Sequence, residues 1–302
     1  MSIDFSGRVA IVTGAGGGLG REHALALARR GAKVLVNDLG GTVSGTGGSP
    51  VAAQAVVEEI RAAGGTAIAN GASVTDFAAV QAMVQQAMDT WGRVDILINN
   101  AGILRDKSFA KMEIADIRAV VDVHLMGPMH CCKAVWPIMM AQQYGRIVMT
   151  TSSTGLYGNF GQANYGAAKL AQAGLMQTLS IEGAKYGIRV NALAPTATTR
   201  MTEDLFPPDM REAFGPASVV PAMLVMASEA APNRTILCAG AGTFEAAHIT
   251  LTQGVYLGTG PDVPERLAAA LDDVTDRSGE MVPQSGAGQG ANEAAKAQAA
   301  RR

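Results

Sequence analysis

Cysteine is scarce in this chain of 302 residues: Cys131, Cys132 and Cys238 are all there is. Two are adjacent, none has the spacing of metal ligands, and the odd number leaves no disulfide framework. No metal is therefore expected, and three free thiols suit a reducing, cytoplasmic setting. Aromatic residues make up 5% and charged residues 17%. No run of about eighteen apolar residues occurs, so no membrane span and no membrane partner is expected. The net charge is -2 without a basic block, which argues against nucleic acid as a partner. Residues Met1 to Arg8 hold acidic Asp4 and no apolar stretch, so a secretory leader is not expected there. The last residues, Ala300-Arg301-Arg302, do not form a peroxisomal tripeptide.

What the chain does have is apolar substance, 48% hydrophobic, enough for one large core. Short β-branched runs alternate with longer amphipathic ones. Strands are expected at 9–12, 33–37, 66–69, 95–98, 146–150, 189–193 and 235–239. Helices are expected at 19–30, 51–63, 76–91, a long stretch near 116–142, 164–185 and about 209–228. Alternation at these lengths implies right-handed βαβ units and an α/β fold: a Rossmann-type doubly wound, seven-stranded parallel sheet with helices on both faces. One domain over 1–281 is expected. The Gly-, Ala- and Gln-rich residues 282–302 have little to bury and are expected to form a flexible tail. A Gly/Ser-rich loop, 40–50, follows the second strand.

The first strand runs into Thr13-Gly14-Ala15-Gly16-Gly17-Gly18-Leu19-Gly20 and then directly into a helix. Glycines allow a tight turn and close approach of backbone to a pyrophosphate, and a helix N-terminus offers free N–H groups. Between strand and helix this pattern points to a dinucleotide. Asp38 ends the second strand, where a carboxylate accepts from ribose hydroxyls and repels a 2′-phosphate; no Lys or Arg lies between Gly14 and Gly20. NAD is therefore expected over NADP. The other reading of Asp38 is a loop cap. Ser73 and Val74 follow the third strand, where they can pack on adenine. Asn99-Asn100-Ala101-Gly102 follows the fourth; its small residues let backbone pass close to a cofactor, and its asparagines can instead serve the backbone.

Tyr165 precedes Lys169 by four residues, which places both on one helix face. A neighbouring cation favours the phenolate of a phenol whose ordinary pKa is about 10. Ser152, just after an apolar strand, can hold a substrate oxygen while Tyr165 exchanges its proton. Such a trio suits general acid–base chemistry at an alcohol or carbonyl.

Together, TGAGGGLG at 13–20, NNAG at 99–102, Ser152, and Tyr165 with Lys169 resemble the short-chain dehydrogenase/reductase family over about residues 5–245. The resemblance implies a nicotinamide-dependent oxidoreductase. Ser152 would orient the substrate oxygen, Tyr165 would be the acid/base, and Lys169 would lower its pKa and hold the nicotinamide ribose. Pro195 through Thr198 would contact the carboxamide. The two long helices would form a homodimer or homotetramer face. The segments VNDLGG at 36–41, NNAGILRDKSFAKM at 99–112, VHLMG at 123–127 and YGNFGQANYGAAK at 157–169 are similar to the (3R)-hydroxyacyl-CoA dehydrogenase unit of peroxisomal multifunctional enzymes of type 2, also described as 17β-hydroxysteroid dehydrogenases.

Two positions depart from the family. His124 stands where the family usually has an asparagine of a proton relay; it either bonds the same backbone carbonyl through a ring nitrogen or is a packed core histidine. Thr196 stands where glycine normally follows the proline. Arg105, Lys107 and Lys111 can meet CoA phosphates or form a solvated loop. Met201, Leu205, Phe206, Met210 and Phe214 form an apolar stripe that is either a lid over an acyl chain or sterol or plain packing. Three functions stand: a (3R)-hydroxyacyl-CoA dehydrogenase, a hydroxysteroid dehydrogenase with the same residues, and a dinucleotide-binding sensor without turnover.

Overall fold

The computed structural model describes residues 2–49, 51–199, 202 and 207–301. The chain forms two compact units, residues 1–246 and 247–302. In the first, β1 (Val9–Thr13), α1 (Gly18–Arg29), β2 (Lys33–Asn37), α2 (Val51–Ala62), β3 (Thr66–Asn70), α3 (Phe77–Trp91) and β4 (Ile96–Asn99) come in strict alternation. There follow α4 (Ile114–Val121), a π-helical turn at Asp122–Met126, α5 (Gly127–Gln142), β5 (Gly145–Thr150), α6 (Ser153–Tyr157), α7 (Ala163–Gly183) and β6 (Ile188–Pro195). After these come α8 (Val220–Ala227), β7 (Ile236–Gly240) and β8 (Thr243–Ala247).

The strands make one sheet in the order β3-β2-β1-β4-β5-β6-β7-β8. Residues of β1 and β5 are buried without exception, the mark of strands covered on both faces by helices. The pairs β1–β2, β1–β4, β4–β5, β5–β6 and β6–β7 are parallel. Since β1 sits between β2 and β4, the order reverses there, and a crevice opens beyond the carboxyl ends of these strands.

The seven expected strands are present, with ends within two residues. An eighth is added: β7 turns through Ala241 and Gly242, both at positive φ, into β8. Two such residues make the tight turn that matches hairpin twist. The stretch Thr243–Ala247 is nearly all exposed, so it carries no burial pattern for sequence to show. The helix expected at about 209–228 begins only at Val220: residues 208–214 are turns, and Gly215 leads into a short 3-10 segment at Pro216–Ser218. The expected long helix at 116–142 is three pieces, interrupted by the π turn, in which the Gly127 N–H reaches the Asp122 carbonyl.

The units divide at 246/247. The second unit holds α9 (Val263–Ala269), α10 (Leu271–Thr275) and α11 (Gly286–Ala299). A two-residue bridge joins Leu251 and Met281. Alanine, the strongest helix former, makes α11 helical where burial is slight, and Gln289 bonds Glu293 one turn on.

Candidate active site

The turn between β1 and α1 is fitted for close approach. Gly14 and Gly18 have φ of +62° and +53°, values that L side chains adopt only with strain. A Cβ on Gly14 would stand 2.7 Å from the Ala101 Cα, and one on Gly20 would stand 2.2 Å from the Gly14 carbonyl oxygen. Asn100 clamps this turn across the crevice: its Nδ2 donates to the Thr13 and Gly14 carbonyls, both at 3.0 Å. The Thr13 hydroxyl accepts the Asn100 and Ala101 amides at 3.0 and 3.1 Å. Asn99 points elsewhere, donating weakly to the sulfurs of Cys132 and Met149 in the core; of the two asparagines it is the structural one.

A cleft of about 470 Å³ runs from the glycine turn past Asp38, Ser73, Val74 and Asn100–Gly102 to His124, Tyr165, Lys169 and Pro195. Gly17, Gly18 and Leu19 also line it. Gly16, Gly20, Ser152 and Thr198 do not stand in its wall. Gly16 and Gly20 act as spacers, because Asp38 and Asn100 occupy the room a side chain would need. The Thr198 hydroxyl is buried without a hydrogen-bond partner among the described residues; Thr196, Ala197, Thr199 and Thr202 face the cleft instead. Asp38 accepts the Gly16 N–H at 2.7 Å on one oxygen and the Gly40 N–H at 2.6 Å on the other. Its carboxylate thus caps the loop and stands in the cleft wall at once. Residues of the 40–49 loop close that wall further, Leu104 donating to the Val43 carbonyl and Arg105 to the Ser44 carbonyl.

At the other end, β5 delivers Ser152, which caps α6 by accepting the Thr154 N–H at 3.1 Å. Tyr165 and Lys169 lie one turn apart on α7, and the Lys169 Nζ stands 5.5 Å from the Tyr165 ring centre. Lys169 donates to the Thr150 carbonyl, and the Thr151 hydroxyl donates to the Lys169 carbonyl. Burial pulls the Lys169 ammonium down to about 7. Burial also pushes the Tyr165 phenol up; its hydrogen bond with Ser152 opposes this and the nearby Asp106 charge adds to it. The expected depression of the phenol by its neighbouring cation is thus reversed in the protein by itself. Dry surroundings disfavour both charged forms, and among the described residues no carboxylate pairs with Lys169.

His124 sits in the π turn. Its Nε2 is 2.8 Å from the Ile103 carbonyl oxygen and 3.0 Å from the Ile103 nitrogen, and its ring meets Tyr165 edge-on at 5.0 Å. Burial, aided by Lys169, holds the imidazole well below its usual range. It is a neutral ring bonded to backbone, so both readings of it apply.

Sequence reasoning passed over a polar rim. Gln162 donates to Asp106 at 2.6 Å and accepts from Thr154 and Asn159. Thr154, Asn159 and Gln162 all line the cleft, and only their nearness to Tyr165 in sequence hinted at it. Arg105 and Lys107 both bond Asp116, at 3.3 and 3.1 Å, so much of the expected basic cluster is internally neutralised. Of the apolar stripe, Met201, Leu205 and Phe206 lie outside the described residues. Cys131 and Cys132 are buried, their thiols raised by burial, as packed fillers are. No helix among the described residues is long and apolar enough to cross a membrane.

A glycine turn over a helix N-terminus and a carboxylate at the end of β2 share one crevice with Tyr165 and Lys169, and Ser152 bonds Tyr165 from beside it; together they define a dinucleotide-dependent oxidoreductase. The model of the short-chain dehydrogenase family matches residues 8–209, and the chain belongs to that family. It is 46% identical over 91% of its length to a short-chain type dehydrogenase/reductase of Mycobacterium tuberculosis, covering 96% of it. It is 47% identical to peroxisomal multifunctional enzyme type 2 of Drosophila melanogaster, covering 91% of this chain and 46% of that one. The solved full-length Drosophila enzyme superimposes with a TM-score of 0.76 at 38% identity, covering 92% and 47% of the two chains. The chain spans less than half the length of this multifunctional relative. A 7α-hydroxysteroid dehydrogenase complexed with NADH and 7-oxo glycochenodeoxycholic acid gives a TM-score of 0.72 at 30% identity, covering 79% and 95%. The family binds a nicotinamide cofactor and acts on small molecules.

Proposed function

We propose that this oxidoreductase uses NAD to interconvert a (3R)-3-hydroxyacyl-CoA and its 3-oxoacyl-CoA. The Asp38 carboxylate in the cleft wall carries the cofactor choice, since a 2′-phosphate beside it meets like charge. The nearest basic side chain after the glycine turn, Arg21, is engaged by Glu22 and Glu59. The substrate class rests on the likeness to the multifunctional enzymes.

The glycine turn would hold the pyrophosphate, Asp38 the adenosine ribose, Lys169 the nicotinamide ribose and Pro195 with its neighbours the carboxamide. NAD, when bound, supplies the carbon that receives hydride. Ser152 would hold the hydroxyl oxygen of the substrate, and Tyr165 Oη would take the hydroxyl proton as the substrate carbon bearing that hydroxyl gives up its hydride. Acceptors gained by the Lys169 Nζ beyond the Thr150 carbonyl favour the ammonium, and the ammonium favours the phenolate. His124 keeps Ile103 and the Tyr165 ring in place.

The likeness to a hydroxysteroid dehydrogenase supports a second reading, oxidation of a steroid alcohol by the same residues. Exposed Met126 and Met129 near the start of α5, with Leu170 and Ile181 on α7, suit a homodimer or homotetramer. Free Cys131, Cys132 and Cys238 suit a cytoplasmic location.

The test is NADH formation from NAD+ with (3R)- and (3S)-hydroxyacyl-CoA of several lengths and a 17β-hydroxysteroid. Turnover of the (3R) thioester alone supports the first reading. Turnover of the steroid alone replaces it with the second, and NADH binding without turnover of any alcohol leaves a sensor.

A further inference from the structure

Behind the cleft, one turn past Lys169 on α7, Gln172 is 1% exposed. A buried amide on a helix face that also buries Ala168, Ala173 and Met176 calls for a purpose. Its Nε2 donates at 2.6 Å to the carbonyl of His124 in the π turn. In an α-helix that carbonyl would receive the N–H of the residue four positions on. That residue is Pro128, which has no N–H, and whose ring crowds the carbonyl four residues back. Proline therefore opens the helix at His124, and Gln172 supplies the donor that Pro128 lacks. The His124 ring reaches Ile103 and stands edge-on to Tyr165 from that same turn.

We propose that Gln172 is a positioning residue for the reaction: by holding the His124 carbonyl it sets the π turn, and through it the stance of the His124 ring, the Ile103 backbone and Tyr165. It does not line the cleft. Pro128 and Gln172 form a matched pair, the one withdrawing a backbone donor and the other replacing it. The inference rests on Tyr165 being the acid/base.

The experiment compares Gln172→Leu, the double variant Pro128→Ala/Gln172→Leu and Tyr165→Phe in the full chain. It measures kcat, KM for NAD+, the pH profile of kcat/KM and thermal melting. Gln172→Leu should lower kcat about tenfold or more, leave KM for NAD+ unchanged and move the acid limb of the profile. Pro128→Ala, which returns an N–H at the fourth position after His124, should restore most of the loss. Wild-type kcat and pH profile in Gln172→Leu, or no rescue in the double variant, would overturn the proposal. Active Tyr165→Phe would instead overturn the proposed function. If Gln172→Leu does not fold, Gln172→Glu carries the test. Its carboxyl, raised by burial, donates to the carbonyl only when protonated, so its activity as a fraction of wild type at the same pH should be low near about pH 8 and recover toward about pH 5.5. An equal fraction of wild-type activity at both would sink the idea.

Discussion

The Asp38 carboxylate accepts the Gly16 amide at 2.7 Å, so the residue proposed to face a cofactor ribose also ties the end of β2 to the glycine turn. An ionised acceptor in such a bond contributes about 1.5–3 kcal/mol. Asp38→Ser is expected to weaken NAD+ by about 10–100-fold and to narrow its advantage over NADP+. Titration calorimetry with both cofactors checks this; an unchanged preference would remove Asp38 from the cofactor argument.

Tyr165→Phe removes the proposed proton acceptor and nothing else from the cleft. Turnover should fall by about 10²–10⁴-fold while NADH fluorescence titration gives the wild-type affinity. Lost affinity together with lost turnover would point to a collapsed cleft instead of missing chemistry.

Lys169 is folded into a site where burial lowers its pKa from 10.5 to about 7. The unfolded chain binds this proton more readily, so stability falls as pH drops from about 10.5 toward 7. In the cofactor-free protein this costs on the order of 3–5 kcal/mol at neutral pH. Lys169→Met is expected to raise the melting temperature at pH 7, to lose that advantage near pH 10.5, and to abolish turnover. A melting temperature below wild type at pH 7 would contradict it.

His23 on α1 is wholly buried, with neither ring nitrogen partnered among the described residues, and burial lowers it from 6.5 to about 4. Its neutral form is the folded one. The stability this contributes is complete above about pH 6.5 and is lost as pH falls toward 4, by about 3 kcal/mol. His23→Leu should flatten the acid limb of a urea-denaturation series across that window; an identical limb would place the acid sensitivity in other groups.

Val9–Val12 shows as a strand in sequence because burial on both faces makes it uniformly apolar. The glycine turn shows because only glycine tolerates its backbone. Tyr165 and Lys169 show because four residues are one helical turn. These features depend on neighbours in the chain, and the amino-acid order by itself determined them, with the parallel sheet they imply. It did not reveal β8, whose exposed face carries no pattern, or α11, whose alanines resemble a loose tail in composition.

What tertiary structure decided are relations between distant residues. Arg105 and Lys107 were free cations on paper, and folding brought Asp116 between them. On paper the Lys169 cation lowered the Tyr165 phenol; the dryness that instead shifts both comes from β5, α4 and the π turn packed around α7. His124, Pro128 and Gln172 look unrelated along the chain. Only the packing of α7 against the π turn sets an amide 2.6 Å from a carbonyl whose helical donor a proline had removed. Periodicity records which face of an element is buried, and it carries no record of which polar groups meet once that face is closed.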